Sequence, residues 1–279
     1  MVLESIKIGW IEKRPYISFF FGFIYVFIGY FIARFFFGNV SIAMLFLATL
    51  LLVPSLIKLI EIEERRESFY GLRHFFKEHK DILEAYIFLF LGVFAGYVLL
   101  GYIVDVDRFA SIFQFQLDFL KNQQGLSKEV IERFFVSPLQ PSLENVAGVL
   151  KSNIQVMLIC FILSIFYGAG AVFLITLNAS IFASFVVYVG HYLAQKVSQI
   201  SLIVGLFMIH MVPEISGFLI AAIAGGVLSK AILREKWSSG HFKNVFKDAL
   251  MLLVIACMLI VVAAFLEVYV TTYMFHRFV

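Results

Sequence analysis

The sequence predicts an all-α protein, a polytopic transmembrane helical bundle of about seven spans with a short amphipathic-helical outer loop. Of its 279 residues, 62% are hydrophobic and only 15% are charged. A soluble domain carries roughly 25% charged residues, so there is too little charge here to cover a water-facing surface. Phe contributes 34 residues and Pro only 5, a composition suited to helices whose outer faces are solvated by lipid. The mean hydropathy is +0.95. At that value open sheets are excluded, because their edge amides would stay unpaired in hydrocarbon.

The first apolar run, about 16–37, ends at Gly38-Asn39, and a second, about 42–60, makes a hairpin with it. Each has roughly the 20 residues that cross a hydrocarbon core of about 30 Å. The first is too long for a cleavable signal peptide and follows Lys13-Arg14-Pro15. Residues 58–81 are dense in both charge signs and read as a solvated connection, with a short amphipathic stretch near Phe69 to Phe76. A third span covers about 83–104, and its Gly92 and Gly96, four residues apart, let another helix approach closely.

Residues 105–152 are the one sizeable polar region. Phe109, Ile112, Phe113 and Leu117 recur at helical spacing, as do Val130, Ile131, Phe134 and Phe135. Ser127 and Ser142 stand where N-caps would start helices, and Pro138 and Pro141 punctuate the gap. We expect short amphipathic helices lying on the membrane or on the protein. Residues 153–193 are almost continuously apolar and hold two spans, with a tight turn expected near Thr176 to Ala179 and Asn178 at or near it. A sixth run, about 202–227, is interrupted by His210-Met211-Val212-Pro213-Glu214 and reads either as a full span or as a re-entrant half-helix. The last span, about 250–273, carries Glu267. The chain thus divides into an N-terminal transmembrane hairpin (1–60), a charged cytoplasmic connector (61–81) and a five-span core that includes the outer loop (82–279).

Orientation follows from Lys and Arg in the short loops. Lys58, Arg65, Arg66, Arg73, Lys77 and Lys80 fall in one connection, and Lys230, Arg234, Lys236, Lys243 and Lys247 in another. With seven spans both lie on the side of Lys7, Lys13 and Arg14. The expectation is a multi-pass protein of the cell membrane, with a cytoplasmic N-terminus and with loop 105–152 and the C-terminus outside. The basic stretch 230–247 reads as a positive-inside signal and headgroup contact, with Trp237 as an interfacial anchor. A net charge of +3 gives no indication of a nucleic-acid partner. Cys160 and Cys257 both lie in apolar runs and read as packing residues.

Ionisable side chains at membrane depth are expensive, about 2.5–3.5 kcal/mol for a central Asp, Lys or Arg. His210, Glu214 and Glu267, with the neutral Asn178, are therefore the candidate intramembrane polar cluster. His210 and Glu214 are one helical turn apart, so an unbroken helix puts both on one face. Pro213 opposes that continuity by removing an amide donor. An opened helix would expose carbonyls beside an acid, as at many ion or substrate sites. The bland alternative is interhelical hydrogen bonding, worth about 0.6–2 kcal/mol. Glu267 lies far along its span and meets Glu214 only if one segment is tilted or irregular.

No H-E-x-x-H, G-x-S-x-G or Gly-rich phosphate loop occurs. The His210 and Glu214 spacing supplies two ligands where a catalytic zinc site needs three, so whether a metal binds stays open at this level. Gly225 and Gly226 sit within an apolar helix and read as a packing contact. No enzymatic activity and no cofactor are expected; an intramembrane hydrolase, which would need a bound metal or a nucleophile–base pair, is the least supported alternative.

The arrangement resembles the stage II sporulation protein M family of integral membrane proteins, over about residues 82–275. The carrying stretches are Leu150-Lys151-Ser152-Asn153, Phe166-Tyr167-Gly168-Ala169-Gly170, Leu177-Asn178-Ala179, His210-Met211-Val212-Pro213-Glu214 and Ala263-Ala264-Phe265-Leu266-Glu267. Two departures stand out: Ala179 where an Asn-Gly pair often occurs, and Met211 where a Gly usually follows the His. The resemblance implies a membrane scaffold that, in spore-forming bacteria, serves cell-wall-degrading partners. For this chain we expect a scaffold or assembly protein that organises envelope or membrane partners, in contact with the lipid bilayer and with membrane or extracytoplasmic proteins. Small-residue faces, Gly168 and Gly170 among them, also admit a homodimer. The alternative is a channel or transporter for an ion or small solute that uses the polar cluster.

Overall fold

In the computed structural model, residues 14–54, 80–124, 141–166, 170–193 and 197–274 are described, and all regular structure among them is helical. The first helix, α1, is Ile17–Phe36, and α2 is Val40–Pro54. Next come α3, Lys80–Ile103, and the short α4, Val106–Ile112, and α5, Gln114–Gln124. The remaining helices are α6, Leu143–Phe166, α7, Gly170–Tyr188, α8, Val197–Arg234, and α9, Gly240–Phe265. Two helices widen into π-helical turns at their ends, α7 over Val189–Leu193 and α9 over Leu266–Thr271. Six of the described helices are long and apolar enough to cross a membrane, and α2 is a shorter apolar helix. The amphipathic stretch near residues 69–76, the connector 58–79, the N-cap at Ser127 and the periodic residues 130–135 lie outside the described residues.

The bundle is organised around α8. Every residue from Gly217 to Ser229 is buried, so this stretch is apolar and covered on all sides, as a central helix must be. It packs against α6, α7 and α9. Small residues set those distances. A Cβ at Gly217 would lie 3.0 Å from the Ile260 side chain and 3.1 Å from the Ala256 carbonyl on α9. At Gly225 it would run into the Phe161 carbonyl of α6, while Gly226 beside it is also buried. Lipid tails are as apolar as Leu, so close van der Waals contact rather than water exclusion drives this association.

The N-terminal hairpin attaches by the same device. A Cβ at Gly22 of α1 would lie 2.8 Å from the Leu89 carbonyl of α3. In return, Gly92 of α3 leaves no room for a Cβ against the Phe19 backbone, and Gly96 sits 3.1 Å from Val26 by the same measure. Gly29 admits α2, with the Met44 carbonyl 2.9 Å from where a Cβ would stand.

The segment α4–α5 folds back onto the bundle. Phe109, Ile112 and Phe113 are buried, and Phe113 meets Tyr97 of α3 edge-on at 6.0 Å. Gln116 of α5 is 0% exposed. Its Oε1 accepts from the Ser41 hydroxyl of α2 at 2.9 Å, and its Nε2 donates to the Ser180 hydroxyl of α7 at 3.4 Å. The Phe115 backbone N–H donates to Ser41 Oγ at 3.0 Å. One buried amide side chain thus joins the hairpin, the α4–α5 segment and the core. Ser142 caps α6 as its sequence position suggests, accepting from the Asn145 N–H at 3.1 Å.

One sequence expectation fails here, and one left open is decided. The turn expected at 176–179 is helix, because α7 runs unbroken from Gly170 to Tyr188, four residues after the described end of α6 at Phe166. The polar residues 143–152 form the start of α6, so the apolar stretch divides later than composition suggests. A Cβ at Gly170 would stand 2.7 Å from the Leu163 carbonyl, close quarters that a larger side chain would not tolerate. Of the two readings left open for the sixth run, α8 follows the continuous one, running through Pro213 with no re-entrant break. Proline costs the helix one donor, the one owed to the Ile209 carbonyl, and membrane bundles tolerate this where neighbouring helices support the segment.

These contacts predict that Gly92→Leu, which forces a branched side chain into the Phe19 backbone, destabilises the fold by about 1–3 kcal/mol or more. A thermal melt of purified protein in detergent checks this. Gly148→Ala, where nothing lies within 4 Å of the new Cβ, should melt like the unsubstituted protein.

Candidate functional site: an intramembrane His–Glu–Glu cluster

His210 and Glu214 sit one turn apart on α8, and helix continuity through Pro213 puts both on one face. Glu267 comes from the π-helical turn that ends α9. The three offer ligand atoms that all lie within 4.8 Å of one another. His210 is 6% and Glu214 8% exposed, and Glu267 is half-buried.

The meeting of Glu214 and Glu267 depends on a feature absent from hydropathy. In a π-turn each N–H reaches back five residues instead of four, and such turns recur at functional sites. Here the Thr272 backbone N–H donates to the Glu267 carbonyl, and the Thr272 hydroxyl adds a second bond to it at 2.9 Å. The same turn supplies Thr271, whose Oγ1 lies 3.0 Å from His210 Nδ1. The Thr271 hydroxyl donates in turn to the Leu206 carbonyl at 3.4 Å, so its oxygen is left to accept the His210 Nδ1 proton. That pattern assigns the proton to Nδ1 and leaves the Nε2 lone pair unused. Phe207 lies against the imidazole, ring centroids 5.6 Å apart.

Depth can be read from the antiparallel pair α8 and α9. Counting back from Lys230, Glu214 is about 24 Å and His210 about 30 Å along α8, at 1.5 Å per residue. Glu267 is about 30 Å beyond Lys247 on the same scale. The cluster therefore lies toward the end of the hairpin opposite the basic loop, near the far boundary of a hydrocarbon core about 30 Å thick.

Among the described residues, no hydrogen bond or ion pair reaches the carboxylate of Glu214 or of Glu267. Two carboxylates this close repel by about 3–4 kcal/mol at an effective dielectric of about 20. Burial adds the loss of hydration. The pair must therefore be neutralised by a proton held between the acids or by a cation.

The other residues singled out from sequence fall elsewhere. Asn178 lies within α7, not at a turn, and donates from Nδ2 to the Leu174 carbonyl of its own helix at 2.8 Å. Pro213 shares α8 with His210 and Glu214. Gly92, Gly96, Gly170 and Gly225 are close-approach points of the bundle, and Gly168 lies outside the described residues. The apolar groove lined by Leu253, Val254, Cys257, Met258, Val261 and Val262 on the outer face of α9 includes no member of the cluster. Thr271 is the participant that sequence reasoning missed; as a small polar residue four positions after Glu267 in an apolar span, it was the available signal. Asp248, 1% exposed on α9 near the basic end, is a further buried acid not singled out from the sequence.

An unpaired buried acid costs the fold stability, and an apolar side chain of similar size removes that cost. In chelator-treated protein, Glu214→Met should melt no lower than the unsubstituted chain. A drop of several degrees would mean the carboxylate holds the bundle together.

A family model described as stage II sporulation protein M matches residues 85–272. The match takes in α4 and α5, the whole of α6 to α8 and all three cluster residues, and leaves the α1–α2 hairpin outside. No curated protein and no solved structure matches the chain. With about two thirds of its length matched by that model, the chain belongs to the stage II sporulation protein M family.

Proposed function

We propose that this integral membrane protein is a non-enzymatic assembly protein that holds envelope or membrane partners through its outer segment. In this reading the N-terminus faces the cytoplasm, and α4, α5 and the C-terminus face outward. The observation that carries it is the buried Gln116, bonded to Ser41 and Ser180. It supports a fixed ledge, because outer segment, hairpin and core are fastened together. That ledge turns Asp105, Asp107, Arg108, Ser111 and Gln114 to solvent, a polar row suited to a protein partner outside the bilayer. A transporter reading is favoured by one feature, the carboxylate pair of Glu214 and Glu267. The fastening of the outer segment weighs toward assembly, since alternating access needs one part to rock against another.

The test uses the full chain in its native membrane. A cysteine at position 111 should react with a membrane-impermeant maleimide in intact cells, and a photo-crosslinker at position 107 should give discrete adducts with an envelope protein. Gln116→Leu removes the acceptor of the Ser41 hydroxyl and the donor to Ser180, which keep their bonds with the Phe115 N–H and the Leu177 carbonyl, a loss of about 1–3 kcal/mol. It should reduce adduct yield without preventing membrane insertion. No adducts from the ledge, together with liposome flux that disappears in Glu214→Gln, would establish the transporter instead.

A further inference from the structure

We propose that His210, Glu214 and Glu267 form a binding site for a divalent transition-metal ion of the zinc type. The inference is independent of the assembly reading. The ligand set is one imidazole and two carboxylates, with atoms within 4.8 Å of one another. Around a tetrahedral zinc with bonds of about 2.0–2.2 Å, ligand atoms stand about 3.4 Å apart, so small side-chain rotations close the set. Mixed nitrogen and oxygen donors suit zinc, whereas magnesium and calcium favour oxygen alone.

Three further features point to a ligand here. Glu214 is more than nine-tenths buried yet has no hydrogen-bond donor among the described residues. A divalent cation cancels the charge of both acids at once, which a single shared proton does not. Lastly, Thr271 occupies Nδ1 of His210 at 3.0 Å, the outer-shell contact that fixes the tautomer of metal-bound histidines and directs Nε2 to the ion. Thr271 and Glu267 belong to the same π-turn, so one local irregularity delivers both a ligand and the group that orients another. Three protein ligands leave a fourth position for water or for an outside donor. The location near the membrane boundary opposite the basic loop gives hydrated metal a short path in.

Full-length protein in nanodiscs, stripped with chelator and dialysed against Zn²⁺, should retain about one zinc per chain by elemental analysis. Co²⁺ in its place should give the visible absorption of a four-coordinate site. His210→Ala, Glu214→Gln and Glu267→Gln should each abolish retention. Thr271→Val keeps all three ligands and should weaken zinc binding about 10–100-fold while still eluting as folded protein, its melt lowered only by the hydrogen bond lost to His210. That variant separates a metal site from general misfolding. Equal zinc in the unsubstituted protein and the triple variant would overturn the proposal. So would protein that stays metal-free after dialysis against Zn²⁺ and keeps an infrared carbonyl band of a protonated carboxyl that vanishes in Glu214→Gln, which would assign the cluster to a shared proton.

Discussion

Backbone proximity is the constraint on which the bundle depends. In lipid, helices gain little from burying apolar side chains, because the surrounding solvent is equally apolar. What they gain comes from contact at short range, and α8 is built to allow it. Gly217 and Gly225 bring it against α9 and α6, where an added Cβ would meet carbonyl oxygens and side chains. Between them runs Ile220-Ala221-Ala222-Ile223-Ala224, buried throughout. The polar cluster is a consequence of this geometry. Once α8 and α9 are pressed together, His210, Glu214 and Glu267 share one small volume, and their charges must be settled there.

The N-terminal hairpin obeys the same rule although it lies outside the family match. Gly22 on α1 and Gly92 and Gly96 on α3 interlock, and Gln116 ties α2 to α5 and to α7. A helix pair added to a core needs such specific close contacts, because apolar surface alone does not choose a docking position in a bilayer.

Much of this was legible in the sequence. Run length and hydropathy located the helices, and Ser142 announced the start of α6. Gly92 and Gly96 drew attention as a close-approach pair, and their position against α1 emerged only from the structure. The turn after α6 was misplaced because hydropathy is blind to where a long apolar stretch reverses, and the polar start of α6 was counted as loop. Pro213 suggested a break because a lone helix would suffer from the missing donor; α8 continues through it because the same segment is packed against the π-turn of α9 through His210 and Thr271. Glu267 and Thr271 could be counted along the span, but not their approach to His210, because a π-turn leaves no composition signature. Asn178 illustrates the converse: a polar residue in an apolar span can be satisfied by a carbonyl of its own helix.

The central claim is that a continuous α8 and a π-turn at the end of α9 bring an imidazole and two carboxylates together near one face of the membrane. A structure by electron cryomicroscopy in lipid nanodiscs, at a resolution that places side chains, tests it most directly. The account predicts unbroken helix through Pro213, a widened turn over 266–271, Thr271 against His210, and both carboxylates directed at the imidazole. A break at Pro213, or an α-helical end to α9 that turns Glu267 away from Glu214, would contradict it.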